Sequence, residues 1–444
     1  MRQERIIQGS LFDVFAQHEI GRELKAMSEW LDGQSALLGL VAADLRRHGI
    51  RETGRQGLSA EAVLRCALLK QYRQLSYEEL AFHLEDSASF RAFARLPLSW
   101  SPKKSALHQT ISAIRAETWE SLNRALLTSA RQAKREMGAV VRIDSTASAA
   151  LMHAPSDSSL LWGAVRVMVR LLERARSLPG GAAVPWRNSR RLAKKRALAI
   201  QYARGRSQKA KLDRELIAVT RATMAAVREV AAHLAAGIEA ELWRAAVGHY
   251  LPLIERIITQ TERRVLGGEA VPAVEKLVSL FEPHADIIVK GGRAVQYGHK
   301  LNLTTGRSGL ILDVVVEAGN PAGVERFLPL LARHVAHYGT APRQVTTDGS
   351  YASRANLRQA KAIGVRDVAF HKKRGLTIEA MVKSRWVYRR LRNFRAGIEA
   401  GIACLKRAYG LARCTWRGLN HFKAYVWSAV VAYNLALVAR LEPA

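Results

Sequence analysis

From Val140 onward the apolar residues change period several times, and the order of those changes restricts the fold more than any other feature. VVRIDST, starting at Val140, reads as a short buried strand ending in an acid. From Pro155 to about Leu280 the period is helical. Strand period returns in FEPHADIIVKG and in YGHKLNLTTGRSGLILDVVVEAG, the second a hairpin turning at Thr305–Gly306–Arg307–Ser308–Gly309. A helix (GVERFLPLLARHVAHYG), a strand (RQVTTDGSYAS) and a short helix follow. A last strand (VRDVAF) then precedes a long basic helix, RWVYRRLRNFRAGIEAGIACLKRAYGLARCTWR. The expectation is an α/β fold, a mixed sheet interrupted by a large helical insertion and preceded by an all-helical region. The boundaries implied are 1–136 for the helical N-terminal part, 137–155 plus 285–440 for the sheet domain, and 156–284 for the insertion.

The acids at the strand ends carry the chemistry. An aspartate closing an apolar strand costs free energy unless it is hydrogen-bonded, paired or metal-bound, which makes Asp144 a candidate ligand. Asp348 ends a second strand at a glycine turn, with Ser353 placed to start the next helix. In the long helix, Arg395, Glu399, Ile402 and Lys406 share a narrow sector beside the apolar Leu391, Phe394, Ile398 and Leu405. An Arg–Glu pair four apart is an ordinary surface pair on a helix. This helix is far more basic than such pairing requires, so Glu399 among so many cations points to a metal or a phosphate. On the hairpin, Lys300 is a candidate phosphate contact, His299 reads as structural, and Asp313 and Glu317 are expected on the solvent face.

Composition enters with the question of partner. Lys and Arg number 69 against 38 Asp and Glu, for a net charge of +31, the balance of a polyanion binder. Between Trp186 and Arg214 eleven cations, including Arg190, Arg191, Lys194, Lys195 and Arg196, face one acid, Asp213. Such a run repels itself and gains most from a phosphate backbone. The N-terminal third reads as short helices with tight turns, including a capping box at Ser76–Tyr77–Glu78–Glu79. Exposed arginines and lysines there suit a helix-turn-helix-like DNA reader or a plain packing domain. Three cysteines without disulfide or metal spacing, and a start without a signal-like apolar run, give a cytoplasmic expectation. The apolar run from Ala424 to Ala439 is short for a membrane span and is expected to be a buried helix.

The spacing Arg395–x3–Glu399–x6–Lys406 resembles the signature around the last acid of DDE-type insertion-sequence transposases. That pattern has a tyrosine where this chain has Arg392; the nearest tyrosine here is Tyr388. The context D-G-x-Y-x-S around Asp348 and the helical N-terminal third resemble the same family, as does the order of elements, which without the insertion is that of a ribonuclease H-like fold. The likeness covers nearly the whole chain and is nearest the bacterial ISNCY group. It implies Asp144, Asp348 and Glu399 as catalytic metal ligands for two Mg²⁺ ions, with Mn²⁺ as a substitute. Arg395 and Lys406 would hold phosphates. Implied further are cleavage at the ends of a mobile element and strand transfer into target DNA. The partners would be double-stranded DNA at terminal inverted repeats and target sites, with no membrane, and a homodimer or larger synaptic assembly. Two alternatives share the same residues: a metal-dependent nuclease of this fold without strand transfer, and a non-enzymatic DNA-binding derivative.

Overall fold

The computed structural model describes residues 18–49, 57–97, 100–289, 295–371 and 374–441. Most of the first amphipathic stretch, GSLFDVFAQHEI, and the residues before it lie outside the described residues, as do two lysines of the basic HKKRG loop. The chain divides into two compact units, residues 1–150 with 299–444, and residues 151–298.

Among the described residues the first unit has, before its sheet, the helices α1 Glu19–Asp32, α2 Ser35–Arg47, α3 Ala60–Tyr72, α4 Tyr77–Asp86, α5 Ala88–Phe93, α6 Lys104–Ile111 and α7 Ala116–Gln132. Their starts follow capping chemistry. Ser59 accepts from the Ala62 amide, and Ser76 and Glu79 form the reciprocal capping box read from the sequence. The sheet follows: β1 Val140–Ala149, β2 Asp286–Ile288, β3 Gln296–Thr305, β4 Ile311–Val316, then β5 Gln344–Thr347 and β6 Asp367–Phe370. β4 and β3 pair antiparallel, and β1–β5 and β5–β6 pair parallel, in the spatial order β4–β3–β1–β5–β6. This is the ribonuclease H-like mixed sheet. β3 straddles the division between the units, and its first three residues pair with β2.

One strand differs from the expectation. β1 does not end at its acid but continues to Ala149, whose amide donates to the Ala412 carbonyl and whose carbonyl accepts from Cys414. This backbone partner, the chain at Ala412–Cys414, stands beside the strand where β5 has already stopped. Asp144 is therefore mid-strand.

The same unit contains the helix Gly323–Tyr338 and the helix Arg354–Ala362, the second capped by Ser353. The basic helix spans Arg385–Ala408 and packs against β1, β5 and β6. The last helix, Leu419–Leu441, packs on α1, α3, α7 and β4. Its most apolar window is long enough for a membrane by composition, yet 78% of that window is buried inside the protein. Asn434 explains how it tolerates a polar residue at zero exposure. Its amide donates to the Asn123 side chain at 2.7 Å and to the Ile311 carbonyl at 2.8 Å, and accepts from the Ile311 amide at 2.8 Å.

The second unit is built on α8 Asp157–Ala175, α9 Arg190–Tyr202, α10 Arg206–His233 and α11 Ile238–Thr261. The four bury one apolar cluster that includes Leu161, Met168, Leu172, Val227 and Ile257. The loop between α8 and α9 needs its glycines. Gly180 has a φ of +83°, and a side chain on Gly181 would meet the Ala175 carbonyl oxygen at 1.8 Å. In chain order the helices that follow are α12 Gly323–Tyr338, α13 Arg354–Ala362, α14 Ile378–Met381, α15 Arg385–Ala408 and α16 Leu419–Leu441.

Candidate active site

Parallel pairing of β1 with β5 brings Ile143 opposite Thr347. The next residue along each chain segment is an aspartate, so Asp144, within β1, and Asp348, just past the end of β5, each follow directly on this paired position. Asp348 leaves the sheet as the cap of a short 3₁₀ turn. Its Oδ1 accepts from the Ser350 amide at 2.9 Å and the Ser350 hydroxyl at 2.5 Å. Asp144 is buried, and its Oδ1 accepts from the Ser145 amide at 2.7 Å.

Behind the pair lies a polar chain that sequence reasoning missed. Tyr351, fully buried, donates its hydroxyl to the Asn302 side chain at 2.7 Å. Asn302 donates to Glu317 at 2.6 Å, and Arg326 donates to the same carboxylate at 2.8 Å. Burial, then the charges of Asp144 and Asp348, push the Tyr351 hydroxyl pKa up, so it stays a neutral donor. Glu317 corrects the expectation of a solvent-facing side chain. It is 5% exposed, because both faces of this part of the sheet are covered, and strand alternation then no longer separates core from solvent. Asp313 is taken up by Arg333, at 2.5 Å. His299 is buried, with Nδ1 3.0 Å from the Glu317 carbonyl oxygen, as a structural residue would be.

Helix α15 brings the third acid. Arg395 donates to Asp144 Oδ2 at 2.8 Å and reaches Glu399 across 3.5 Å, so one guanidinium joins a buried carboxylate to one whose side chain is 68% exposed. The Arg395 Nε is buried without a hydrogen-bond partner. A second arginine fixes the helix. Arg142, two residues before Asp144, donates to the Phe394 carbonyl at 2.7 Å and to Thr305 Oγ1 at 2.8 Å, and sits 4.6 Å from the Phe394 ring centroid. Gly397 makes room for it: a Cβ there would lie 2.4 Å from the Arg142 guanidinium. Tyr388 stays away from the acids and donates to the Phe370 carbonyl at the end of β6.

The other candidate residues lie elsewhere. Lys406, eleven residues beyond Arg395, is about 16 Å further along the helix axis and lines a different cleft. Lys300 donates its ammonium to the Pro321 carbonyl at 2.6 Å. Within the second unit, Arg190 pairs with Glu173 and Arg196 with Glu215, whereas Arg191, Lys194 and Lys195 are exposed on α9.

Among the described residues no three His, Cys, Asp or Glu side chains stand close enough together to hold a metal ion. The donor set nonetheless suits a hard divalent cation. Two aspartates follow directly on the paired Ile143 and Thr347, and the Arg395 guanidinium joins one of them, Asp144, to a third acid, Glu399, and supplies positive charge between those two.

Two family models match this chain. The model described as Transposase DDE domain matches residues 286–435, and the one described as Transposase domain (DUF772) matches residues 13–117. No curated relative and no solved structure matches it. A ribonuclease H-like sheet with acids at adjacent strand positions, under a Transposase DDE match, defines the class. The chain belongs to the DDE-type insertion-sequence transposases. It is thus a DNA transposase, of a family that binds DNA and generally works with divalent metal ions.

Proposed function

We propose that this chain cuts DNA at the ends of an insertion sequence and joins the freed 3′ ends to target DNA, with Asp144, Asp348 and Glu399 as the catalytic set. The observation that carries the reading is the β1–β5 register with Arg395 bridging from Asp144 to Glu399. Asp144 and Asp348 would hold divalent cations, Mg²⁺ or in its place Mn²⁺, and Glu399 would complete the set. The chemistry supplied by divalent cations at such a site would be a more nucleophilic attacking oxygen and a stabilised departing one. The residues around them do the positioning. Ser145 and Ser350 orient the two aspartates, and the Tyr351–Asn302–Glu317–Arg326 chain supports that arrangement from below. Arg142 holds the helix that carries Arg395 and Glu399. Once the acids have another cation, Arg395 is free to turn to a substrate phosphate.

The remaining assignments follow the same reading. Residues 1–136 serve DNA-end recognition, residues 137–155 and 285–440 the chemistry, and the insertion 156–284 non-specific DNA contact. Lys300, Arg190 and Arg196 would have to exchange their present partners for phosphates. The substrate is double-stranded DNA at terminal repeats and target sites, handled by a homodimer or larger synaptic assembly in a bacterial cytoplasm, near the ISNCY group. The test uses purified protein, Mg²⁺ and a duplex carrying the DNA that flanks the reading frame. Cleavage and covalent joining to a second duplex are expected; cleavage without joining would make the chain a nuclease, and no cleavage a DNA-binding derivative.

The exposed cations of α9 give a separate prediction. Arg191→Gln, Lys194→Gln and Lys195→Gln together should weaken DNA binding. They should also flatten its salt dependence by roughly 0.9 in log–log slope for each phosphate no longer neutralised. An unchanged slope would assign the charges to solubility.

A further inference from the structure

At its C-terminal end α15 lines a second cleft, of about 460 Å³, together with α3, α4 and the chain after Gly410. Its charged walls are Lys70, Lys406, Arg413 and Glu79, with Tyr77 and Tyr425 between them. Lys70 is the unusual member. It is 6% exposed, its ammonium stands 4.7 Å from the Tyr77 ring centroid, and it forms no hydrogen bond or ion pair among the described residues. Lysines normally extend so that the charge reaches water. Here burial pushes the ammonium down to about 8. The cleft's carboxylate, Glu79, accepts the Ser76 amide at 2.7 Å in the capping box, and it and Cys414 only partly offset the burial of the Lys70 charge. A buried cation with no direct ion pair costs stability, and an anion from outside would reduce that cost.

We propose that this cleft binds a phosphodiester of the substrate DNA, with Lys70 as the buried anchor and Lys406 and Arg413 flanking it. The proposal rests on the reading that the chain acts on DNA, and adds a contact from the helical N-terminal part. Glu399 and Lys406 are seven residues apart on one helix, about 10 Å along its axis. With a strand rise of about 3.4 Å per nucleotide, the phosphate held here would lie a few nucleotides from the one at the acids. Three cations from three chain segments would then fix the strand's direction as well as its affinity.

Lys70→Met keeps the length and the apolar stem and removes the charge. In the full-length protein it should melt at or above the parent's temperature, since an unpaired buried cation is gone. It should bind the flanking-DNA duplex more weakly, with a log–log salt slope shallower by about 0.9. A purely structural lysine would not combine unchanged stability with a shallower salt slope. Should Lys70→Met melt far below the parent, the exposed Arg413→Gln carries the test with the same expected slope change. An unchanged slope in the folded variant overturns the proposal, while binding by the parent leaves the DNA-acting reading intact. Failure of the parent to bind the duplex removes both. A saturable thermal shift with ATP that Lys70→Met abolishes, alongside an unchanged DNA slope, would make the cleft a nucleotide site and also overturn the proposal.

Discussion

Glu399→Gln is expected to lose DNA cleavage by roughly 10³-fold or more while melting where the parent melts. The substitution keeps the shape of the side chain and removes the charge that a hard divalent cation selects. Stability should barely change, because the Glu399 side chain is 68% exposed and its 3.5 Å contact to Arg395 is a surface pair spaced four apart on a helix. Such pairs contribute roughly 0.3–0.5 kcal/mol. Activity and stability therefore separate cleanly at this position. Cleavage is read in Mg²⁺ and DNA binding in Ca²⁺, on the same preparation. Near-parental cleavage by Glu399→Gln would reduce Glu399 to an ordinary surface partner of Arg395 and remove the third acid from the mechanism.

Arg395→Ala is expected to act in the opposite sense, costing the free protein roughly 3–5 kcal/mol. Its guanidinium is the cation 2.8 Å from Asp144, and the side chains of the two are 14% and 9% exposed. Removing it takes the positive charge away from a buried carboxylate whose Oδ1 accepts from the Ser145 amide. The same change frees the acids for another cation. Mg²⁺ or Mn²⁺ should therefore raise the melting temperature of Arg395→Ala by more than it raises that of the parent, where the ion competes with the guanidinium. Thermal melts with and without the ion measure this without reference to turnover. If the ions leave the variant's melting temperature unchanged, the carboxylates are not a cation site. With DNA at saturation the variant should retain part of its cleavage, since Arg395 is assigned to a substrate phosphate and not to the ion.

How far the sequence was legible depended on whether a residue's neighbours were local or distant in the chain. The capping box at Ser76 and Glu79, the Ser353 cap and the alternation of strands and helices all depend on residues a few positions apart, and all are present. The end of β1 was misread because its extra partner, the chain around Ala412–Cys414, is far away in sequence and carries no strand period. Glu317 was misread because alternation identifies a solvent face only when one face is wet. Arg142 and Gly397 gave no signal: an arginine in a strand and a glycine in a helix look like local blemishes. They make sense only once the guanidinium is seen to occupy the space a side chain would have filled. The adjacency of Asp144 and Asp348 needed the register, which no spacing along the chain contains.

The amide of Asn434 has a consequence for how such a chain can be rebuilt. It joins the helix α7, the strand β4 and the terminal helix α16 through three bonds buried from water. Grafting a foreign recognition region in place of everything before β1 would remove Asn123 and leave part of that amide unsatisfied in the interior. The part that precedes the sheet is thus not an interchangeable cartridge, although it reads as a separate stretch of sequence. A hybrid that is to keep its fold must inherit α7 and α16 from the same parent.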